Sequence, residues 1–511
     1  MTFSNRSRLP LARSMAAASL ATVALASTVM AAGGTAIGPS TSTAPYLLPS
    51  APGVITKSIL TVGDDIDGYR LAGIPDGLGV MQGKHDTFTL LVNHEIGSGL
   101  GVTRAHGGIG AFVSQWSIDE DNLKVKSGQD LIQDLYVWNG SGYELATGSA
   151  RNLNRLCSAD LPALSAFYDA RTHTGFNGRI FMNGEEAGNE GRAFASIATG
   201  AQAGATYELP ALGNLSFENV VASPAAGKKT VVIGLDDTTP GQVYVYVGDK
   251  QKTGSPIEQA GLTGGSLFGV KVDGVADEDR TTGLGAEIKD FSLYGFGDVS
   301  GMTGAALQTA SEANGVTEFL RPEDGAWDPR HPNDFYFVTT DRFENVSQVG
   351  NSRLWRLRFE DVRNPALGGT IKMLLDGTEG QQMMDNITVD AIGKHILIQE
   401  DPGNQTYLGR VWSYDIQHDT LTEIAAHDPA IFSGSGNEDE ESSGIIDASD
   451  ILGPGWFLAT VQWHKSAGDP ELVEKGQLLA IYSPASDWRR GDRDGGDDGD
   501  DDSDDRDGGD R

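Results

Sequence analysis

The amino-acid sequence predicts an all-β fold, because short apolar runs alternate with turn residues along most of the chain. Residues 87–92 and 335–340 are two such runs. Glycine, of which the chain has 67, punctuates the runs together with Asp, Asn and Pro. A weak helical pattern covers residues 305–314 and indicates a short insertion. These observations favour many short strands joined by turns and short helical insertions.

The spacing of the runs favours a β-propeller among all-β folds. Further runs cover residues 230–235, 242–247, 354–359, 395–399, 409–414 and 456–461. Runs that recur at blade-like intervals are typical of a propeller, which avoids open sheet edges by radial repetition. The repeat has no strict period, so a large β-sandwich or a pair of barrels is the alternative.

The composition divides the chain into four parts. Arg6, Arg8 and Arg13 precede an apolar stretch at residues 14–30, which predicts a signal peptide over residues 1–32. Residues 33–58 are rich in Gly, Ser, Thr and Pro and predict a flexible linker. The propeller is expected over residues 59–485. Residues 486–511, rich in Asp and Gly, predict a disordered acidic tail.

Charge and hydropathy restrict the partners and the compartment. The net charge of −33 argues against nucleic-acid binding, which needs basic patches that neutralise phosphates. Beyond the first 32 residues, no apolar segment is long enough to span a bilayer, which predicts a secreted protein without stable membrane insertion. A membrane anchor formed by residues 14–30 is the alternative. The protein is expected to be a monomer.

Five segments place acidic residues at the edge of a short apolar run. They are residues 93–95, 183–186, 217–219, 321–329 and 385–390, the last followed by 399–401. Carboxylates that are brought together repel one another and persist only with protons or cations. The five segments together therefore predict one metal-rich site gathered from the rim of a repeating β fold. Oxygen ligands suit Ca²⁺, whereas a thiolate with several glutamates suits a transition metal.

Two side chains near these segments could carry chemistry. Arg321 could bind phosphate oxygens through its guanidinium, and Pro322 is expected to hold the backbone of Arg321 extended. The alternative is a structural salt bridge from Arg321 to Asp324 or Asp328. Cys157 is the one cysteine of the chain and could be a buried filler or a metal ligand.

Other catalytic classes lack support in this sequence. We find no Gly-x-Ser-x-Gly elbow, no His-Glu-x-x-His and no P-loop. His464 could act as an acid or a ligand, although a structural histidine is the alternative. Serine hydrolases, zincins and P-loop nucleotidases are therefore disfavoured.

An ordered set of motifs runs through residues 59–483: Asn93-His94-Glu95, Cys157 ahead of Glu185-Glu186, Phe217-Glu218, Asp236-Asp237, Arg321-Pro322-Glu323-Asp324, Asp385-Asn386-Ile387 and Glu400-Asp401. This order resembles the PhoX-type secreted alkaline phosphatases, of which this chain looks like a divergent member. That family usually has Gly-Gly after the ligand cysteine and a Cys before its Glu-Glu pair. This chain has Ser158-Ala159 and Gly184 there.

The resemblance implies a six-bladed propeller with a phosphomonoesterase centre that combines iron and calcium ions. It implies that Cys157 is a thiolate ligand of Fe³⁺, that Glu218 and Glu323 are carboxylate ligands, and that Arg321 holds the phosphate of a small-molecule ester. Looser candidates for the metal shell, which would include Ca²⁺, are Glu95, Glu186, Asp385, Asn386, Glu400 and Asp401.

Two functions of other kinds are alternatives to a phosphatase. One is a non-catalytic, calcium-stabilised surface propeller that binds an anionic or polysaccharide partner. The other is a propeller hydrolase that acts on phytate or a lactone.

Overall fold

The computed structural model describes residues 33–278, 280, 283–341, 350–403, 405, 407–433 and 439–490. The predicted signal peptide and most of the predicted acidic tail lie outside these ranges. Within them the chain is mostly β-structure, arranged as six antiparallel blades around an axis. Among the described residues no helix is long and apolar enough to cross a membrane.

Each blade starts with an innermost strand, and successive strands follow outward. Blade 1 has Pro75–Gln82, Thr87–His94, Phe112–Asp119 and Val125–Asp130; blade 2 has Leu156–Asp160, Ile180–Glu185, Ala193–Ile197 and Ala205–Glu208, with Asp134–Trp138 and Tyr143–Leu145 at its outer edge. Blade 3 has Phe217–Ala222, Lys229–Asp236, Gly241–Asp249, Ser266–Val272 and Lys289–Gly297; blade 4 has Pro322–Trp327, Asp334–Thr339, Arg353–Phe359 and Gly369–Leu375.

The last two blades also contain strands from the start of the described chain. Blade 5 has Met384–Val389, His395–Glu400, Arg410–Asp415 and Thr420–His427, joined by Leu47–Pro49; blade 6 has Glu440–Asp447, Trp456–Ser466 and Glu474–Tyr482, joined by Ile55–Thr61 and Gly34–Ile37. The innermost strands of consecutive blades pack side by side, and blade 6 packs against blade 1, so the ring is closed.

Short elements decorate the blades. Among the described residues, five two-residue strands lie at Asp65–Ile66, which pairs with Tyr69–Arg70, at Tyr168–Asp169, which pairs with Thr174–Gly175, and at Glu318–Phe319. The α-helical segments there are Pro256–Gln259, Gly304–Asn314, Pro429–Phe432 and Ser449–Leu452. The 3₁₀ turns are Gly148–Arg151, Leu164–Ala166, Pro210–Leu212, Pro365–Leu367 and Pro484–Ser486. The longest helix of the described residues, Gly304–Asn314, is the insertion that the sequence predicts. The Thr303 hydroxyl caps its start by accepting from the Ala306 N–H, and Gly315 ends it with a φ of 63°.

The hydrophobic core lies between neighbouring blades. Val231 and Val245 of blade 3 pack with Phe337 and Trp355 of blade 4, and all four side chains are fully buried. Blades 3 and 4 are also joined into one sheet, because Lys289–Gly297 pairs with Gly369–Leu375. Burial between the blades holds each sheet at a fixed angle to the axis, which is what positions the innermost strands.

The prediction of a flexible linker over residues 33–58 is wrong. Ile55–Thr61 pairs with Glu474–Tyr482, so the two ends of the described chain meet in blade 6. Leu47 is fully buried, and so are Thr56 and Ser58. The Thr56 hydroxyl donates to the Leu47 carbonyl at 2.8 Å, and the Ser58 hydroxyl donates to the Thr43 carbonyl at 2.7 Å. The small polar residues that suggest a linker are thus hydrogen-bonded inside the closing strands.

The first residues of the predicted acidic tail belong to the folded part of the chain. Residues 486–490 are described, and the Asp487 carboxylate accepts from the Tyr482 hydroxyl at 2.7 Å. Asp487 therefore belongs to the end of blade 6, and residues 491–511 lie outside the described ranges.

Replacement of Leu47 tests whether this segment closes the ring. Leu47→Ala removes a fully buried side chain and should lower the free energy of unfolding by about 2–5 kcal/mol. Ile37→Ala, in which 53% of the side chain is already exposed, should change it by less than about 0.5 kcal/mol. Urea unfolding followed by circular dichroism measures both. Equal, small effects would show that the segment behaves as a linker.

Candidate metal centre

The six blades present an ionisable side chain at one shared position, the second residue of the innermost strand. We call this set the first ring: it consists of Asp76, Cys157, Glu218, Glu323, Asp385 and Glu441. All six are buried, with at most 7% of any residue exposed. In five blades the pairing register shifts directly after the first strand residue, which marks a β-bulge. A bulge re-aims the adjacent side chain, which explains how successive blades direct this position toward the axis.

A second set of residues surrounds the first ring at the end of each second strand. This second ring consists of Glu95, Glu186, Asp237, Thr340, Asp401 and His464. In every blade the backbone N–H of the second-ring residue donates to the carbonyl of the residue two positions before the first-ring residue, at 2.8–3.1 Å. The two rings are therefore locked to each other by one repeated hydrogen bond.

Ligand atoms from the two rings form three groups, each with its atoms within 4.8 Å of one another. The groups are Asp76, Glu95 and Cys157; Cys157, Glu186 and Glu218; and Glu218, Glu323 and Asp385. Cys157 is shared by the first two groups and Glu218 by the last two. The first two groups combine a thiol with carboxylates, and the third offers oxygen atoms alone. The groups therefore run in succession through blades 1 to 5.

Buried carboxylate oxygens without partners show that the groups suit cations. Asp76 Oδ1, Glu323 Oε2 and Asp385 Oδ1 are buried and accept no hydrogen bond from the residues that the structure describes. A buried, unsatisfied carboxylate oxygen is costly, and coordination of a cation removes that cost. The mixed thiol and carboxylate groups fit a transition metal, and the oxygen-only group fits Ca²⁺.

The electrostatics of the centre lead to the same conclusion. Burial raises the pKa of Asp76, Glu218 and Asp385 well above the ordinary range, and the negative charge of neighbouring carboxylates raises each pKa further. Burial and the charges of Asp76 and Glu218 also raise the pKa of the Cys157 thiol. Because the pKa values are raised, protons compete with cations for these groups, and metal affinity is expected to rise with pH.

Arg321 lies beside the third group in a conformation that the sequence did not predict. Its backbone φ is 60°, in the left-handed region instead of extended. Ile74, Arg155 and Met383, which occupy the same position in blades 1, 2 and 5, have φ values of 51°, 45° and 53°. The left-handed backbone thus belongs to the turn into the innermost strand of these four blades, and Pro322 does not determine it.

The Arg321 guanidinium forms neither of the salt bridges that the sequence suggests. It grips Asp237 through two bonds, Nε to Oδ1 at 2.6 Å and Nη2 to Oδ2 at 3.0 Å, and Nη2 lies 3.2 Å from Glu323 Oε1. Burial favours a raised pKa for Asp237, but the charge and hydrogen bonds of Arg321 lower the pKa on balance. Asp237 therefore stays ionised and fixes the direction of the arginine fork.

The residues that follow the first ring form a polar floor beneath it. Asn386 donates from Nδ2 to Glu218 Oε1 at 3.2 Å and accepts at Oδ1 from the Gly444 N–H at 2.8 Å. Asp324 accepts from Asn219 Nδ2 at 2.5 Å and from the Ile387 N–H at 3.1 Å. Asn386 thus orients a ligand and belongs to none of the three groups, and Asp324 ties blades 3, 4 and 5 together.

Glu400 and Asp401, at the end of the second strand of blade 5, have different surroundings. Glu400 is fully buried and accepts from Trp412 Nε1 at 2.8 Å, from the Gln382 N–H at 2.8 Å and from the Arg410 N–H at 3.0 Å. The structure does not bring Glu400 to the three groups. Asp401 lies in the second ring, where burial raises its pKa on balance and the nearby charges of His464 and Arg321 only reduce that rise. Asp401 is in none of the three groups either.

Three side chains of the centre escaped the sequence analysis. They are Asp76, Glu441 and Gln462. Gln462 Nε2 contacts Asp76 Oδ2 at 2.8 Å, Glu95 Oε2 at 3.0 Å and Glu441 Oε1 at 3.3 Å. Asp76 follows Pro75 as Glu323 follows Pro322, so an acidic residue at the start of each innermost strand is the signal that could have revealed Asp76 and Glu441.

Comparison with known proteins agrees on the architecture. No family profile and no curated protein matches this chain. The fold is similar to that of Pseudomonas fluorescens PhoX in complex with vanadate, a transition state analogue, with a TM-score of 0.60 and 11% sequence identity over 86% of this chain and 97% of that chain. A Dyadobacter fermentans protein of unknown function gives 0.40 and 10% over 84% and 99%. Periplasmic gluconolactonase from Pseudomonas aeruginosa gives 0.35 and 11% over 80% and 85%. The first likeness shows a shared PhoX-like propeller fold.

Metal content should depend on Glu218 and not on Glu400. Glu218→Gln weakens a ligand shared by two groups, so we expect the variant to lose more than one equivalent of bound metal. Glu400→Gln changes a carboxylate that is equally buried but faces Trp412, and it should retain the metal content of the unchanged protein. Elemental analysis of the folded variants measures both. Loss of metal from Glu400→Gln alone would contradict the assignment.

The stability of the protein should depend on pH mainly when the metals are removed. The unfolded carboxyls ionise near their ordinary pKa values of 3.8 and 4.5, whereas their buried counterparts keep protons to higher pH. The native state then binds more protons than the unfolded state, so stability falls as pH rises above about 4. We expect the Tm of chelated protein to fall from pH 5 to pH 8, and the gap to metal-loaded protein to widen. A chelated Tm that is constant over this range would contradict the interpretation.

Proposed function

We propose that the protein is an exported, metal-dependent hydrolase of small-molecule phosphate monoesters. The observation that carries the proposal is the position of the Arg321 guanidinium, 3.2 Å from a carboxylate of the oxygen-only group and held in place by Asp237. A planar, oriented guanidinium next to cation ligands is the arrangement that binds phosphoryl oxygens. The similarity in fold to Pseudomonas fluorescens PhoX supports the proposal, because PhoX binds vanadate, a transition state analogue.

The donor atoms of each ligand group determine which metal it would bind. Cys157, Glu186 and Glu218 would hold iron through a thiolate and carboxylates, and Glu218, Glu323 and Asp385 would hold Ca²⁺ through oxygen atoms. When bound, such cations neutralise phosphoryl charge and activate water for attack on phosphorus. Glu218 connects the two positions, because it contributes to both groups.

The chain's own residues supply orientation and shielding. Asp237 engages two donors of Arg321 and so keeps the guanidinium plane at a fixed angle to the ring. Asn386 holds Glu218 from below through its bond to Oε1. Asn219 and Asp324, which follow first-ring residues, also line a cavity of about 190 Å³ together with Ser158. Arg321 is partly exposed, so the phosphate ester would approach from the side of the second ring.

Export is proposed from the sequence of the first 32 residues, in which basic residues precede an apolar stretch. Secretion would place the centre where calcium is plentiful. A calcium-stabilised binding propeller is the competing function, and the oxygen-only group of Glu218, Glu323 and Asp385 is the observation that favours it. Metal analysis separates the two: iron together with calcium supports the phosphatase, and calcium alone supports the binding module.

Phosphatase activity should require Arg321. With Ca²⁺ and iron supplied, we expect turnover of a chromogenic phosphomonoester, and Arg321→Lys should lower kcat/KM by roughly 10²–10³-fold because lysine cannot form the bidentate fork. Arg358→Lys is the matched control, since Arg358 grips Asp334 through a similar fork of two 2.6 Å bonds outside the two rings. Glu323→Ala should also abolish turnover. If the metal-replete, unchanged protein is no faster than Arg321→Lys and Glu323→Ala, the enzymatic assignment is wrong.

A further inference from the structure

Arg155 occupies in blade 2 the position that Arg321 occupies in blade 4. Each lies two residues before a first-ring ligand, Cys157 and Glu323 respectively. Each has a left-handed backbone, with φ of 45° for Arg155 and 60° for Arg321. Each carbonyl accepts the N–H of a second-ring residue, at 2.9 Å from Glu186 and at 3.1 Å from Thr340. The side chains of Arg155 and Arg321 therefore start from equivalent backbone positions in their two blades.

The contacts of Arg155 place its guanidinium beside the two thiol-containing groups. Nη2 lies 2.7 Å from Glu95 Oε1 and also binds the Glu186 carboxylate. Glu95 belongs to the first group and Glu186 to the second. The Arg155 side chain is 47% exposed, whereas that of Arg321 is 22% exposed. Arg155 thus contacts two residues of the ligand groups and is also exposed to solvent on the side of the second ring.

The two arginines are linked across blade 3. Arg155 binds Glu186, Glu186 interacts with Asp237, and Asp237 is gripped by Arg321. Beneath this chain of contacts, Glu218 of blade 3 takes part in a ligand group with Cys157 on one side and with Glu323 on the other. The guanidinium groups therefore flank the mouth of the centre on either side of blade 3.

We propose that Arg155 is a second substrate-contacting residue, and that it and Arg321 hold the phosphoryl group from two sides. This inference rests on the proposed function and adds a basis for specificity. A phosphomonoester carries up to two negative charges at neutral pH, and a diester carries one. Because the attraction to a guanidinium grows with the charge of the anion, a second arginine favours monoesters. The acidic chain, with a net charge of −33, needs such local positive charge to admit a dianion.

The competing role for Arg155 is purely structural. Its charge could serve only to balance Glu95 and Glu186, in which case its removal would lower metal affinity and leave the phosphate affinity of the metal-loaded site unchanged. A substrate contact predicts the reverse pattern, so binding of phosphate and content of metal have to be measured on the same samples.

The test uses the full-length, metal-loaded protein and inorganic phosphate as the probe. Isothermal titration calorimetry should show that Arg155→Gln weakens phosphate binding at least 10-fold with unchanged metal content, and that Arg155→Lys recovers part of the loss. For a chromogenic monoester, KM should rise in Arg155→Gln, while KM for the matching diester should change by less than 2-fold. Arg192→Gln is the control, because Arg192 grips the neighbouring Glu185 at 2.7 and 2.8 Å and contacts no ligand group.

Each outcome decides between the two hypotheses. If the unchanged protein binds phosphate and Arg155→Gln binds it equally well, Arg155 has a structural role and this inference is wrong. The same holds if Arg155→Gln loses metal and regains full phosphate affinity when the metal is restored. If the metal-loaded, unchanged protein binds no phosphate and hydrolyses no ester, the proposed function itself fails, and the inference fails with it.

Discussion

The burial of six ionisable side chains around one axis is the constraint on which the rest of the structure depends. Each first-ring residue is removed from water and faces other groups that also become negatively charged when they ionise. Both effects disfavour ionisation. The chain supplies counter-charge at three places. Arg155 lies against Glu95 and Glu186, Arg321 lies against Asp237 and Glu323, and His464 lies between Glu441 and Glu474. Burial alone would lower the pKa of His464, but hydrogen bonds with the two glutamates raise the pKa well above its usual value. Cations at the three ligand groups would complete the compensation in blades 1 to 5.

The sequence predicts the all-β propeller, but it does not predict that residues 33–58 form the strands that close the ring. Short apolar runs such as residues 335–340 are strands because they are buried on both faces between blades, and their composition shows it. The closing segment is different. Thr56 and Ser58 alternate with Ile55 and Ile59 in a buried strand, yet hydroxyl groups and nearby glycines resemble a linker in composition. Their hydroxyls donate hydrogen bonds to carbonyls that come close only in the folded ring. No local sequence pattern could therefore reveal that this segment is a buried strand.

The site was partly predictable for a related reason. Side chains alternate along a strand, so one member of each acidic pair should face the axis. Glu186 does so while Glu185 binds Arg192, and Asp401 joins the second ring while Glu400 binds Trp412. The sequence identifies these pairs but not which member faces inward, because that depends on where each strand ends relative to its bulge. Asp76 was missed because a single acidic residue carries no pattern until the six strands are superposed, and Glu441 because it ends a run of four acidic residues, 438–441, in which no position stands out.

The same superposition explains how one fold can hold several kinds of ligand. The repeated hydrogen bond between the rings fixes the backbone of all six blades alike, and in blades 1, 2, 4 and 5 a left-handed residue precedes the innermost strand. A substitution at a ring position therefore changes the donor atom and leaves the geometry in place, which is how a thiol at Cys157 can stand where the other blades have a carboxylate. The position two residues earlier has the same freedom. It carries Ile74, Ser216 and Met383 in three blades, Asp439 in blade 6, and an arginine in the two blades that border Glu218. Since the backbone tolerates uncharged residues there, folding does not demand a cation at Arg155 and Arg321, and their charge is available to serve the centre.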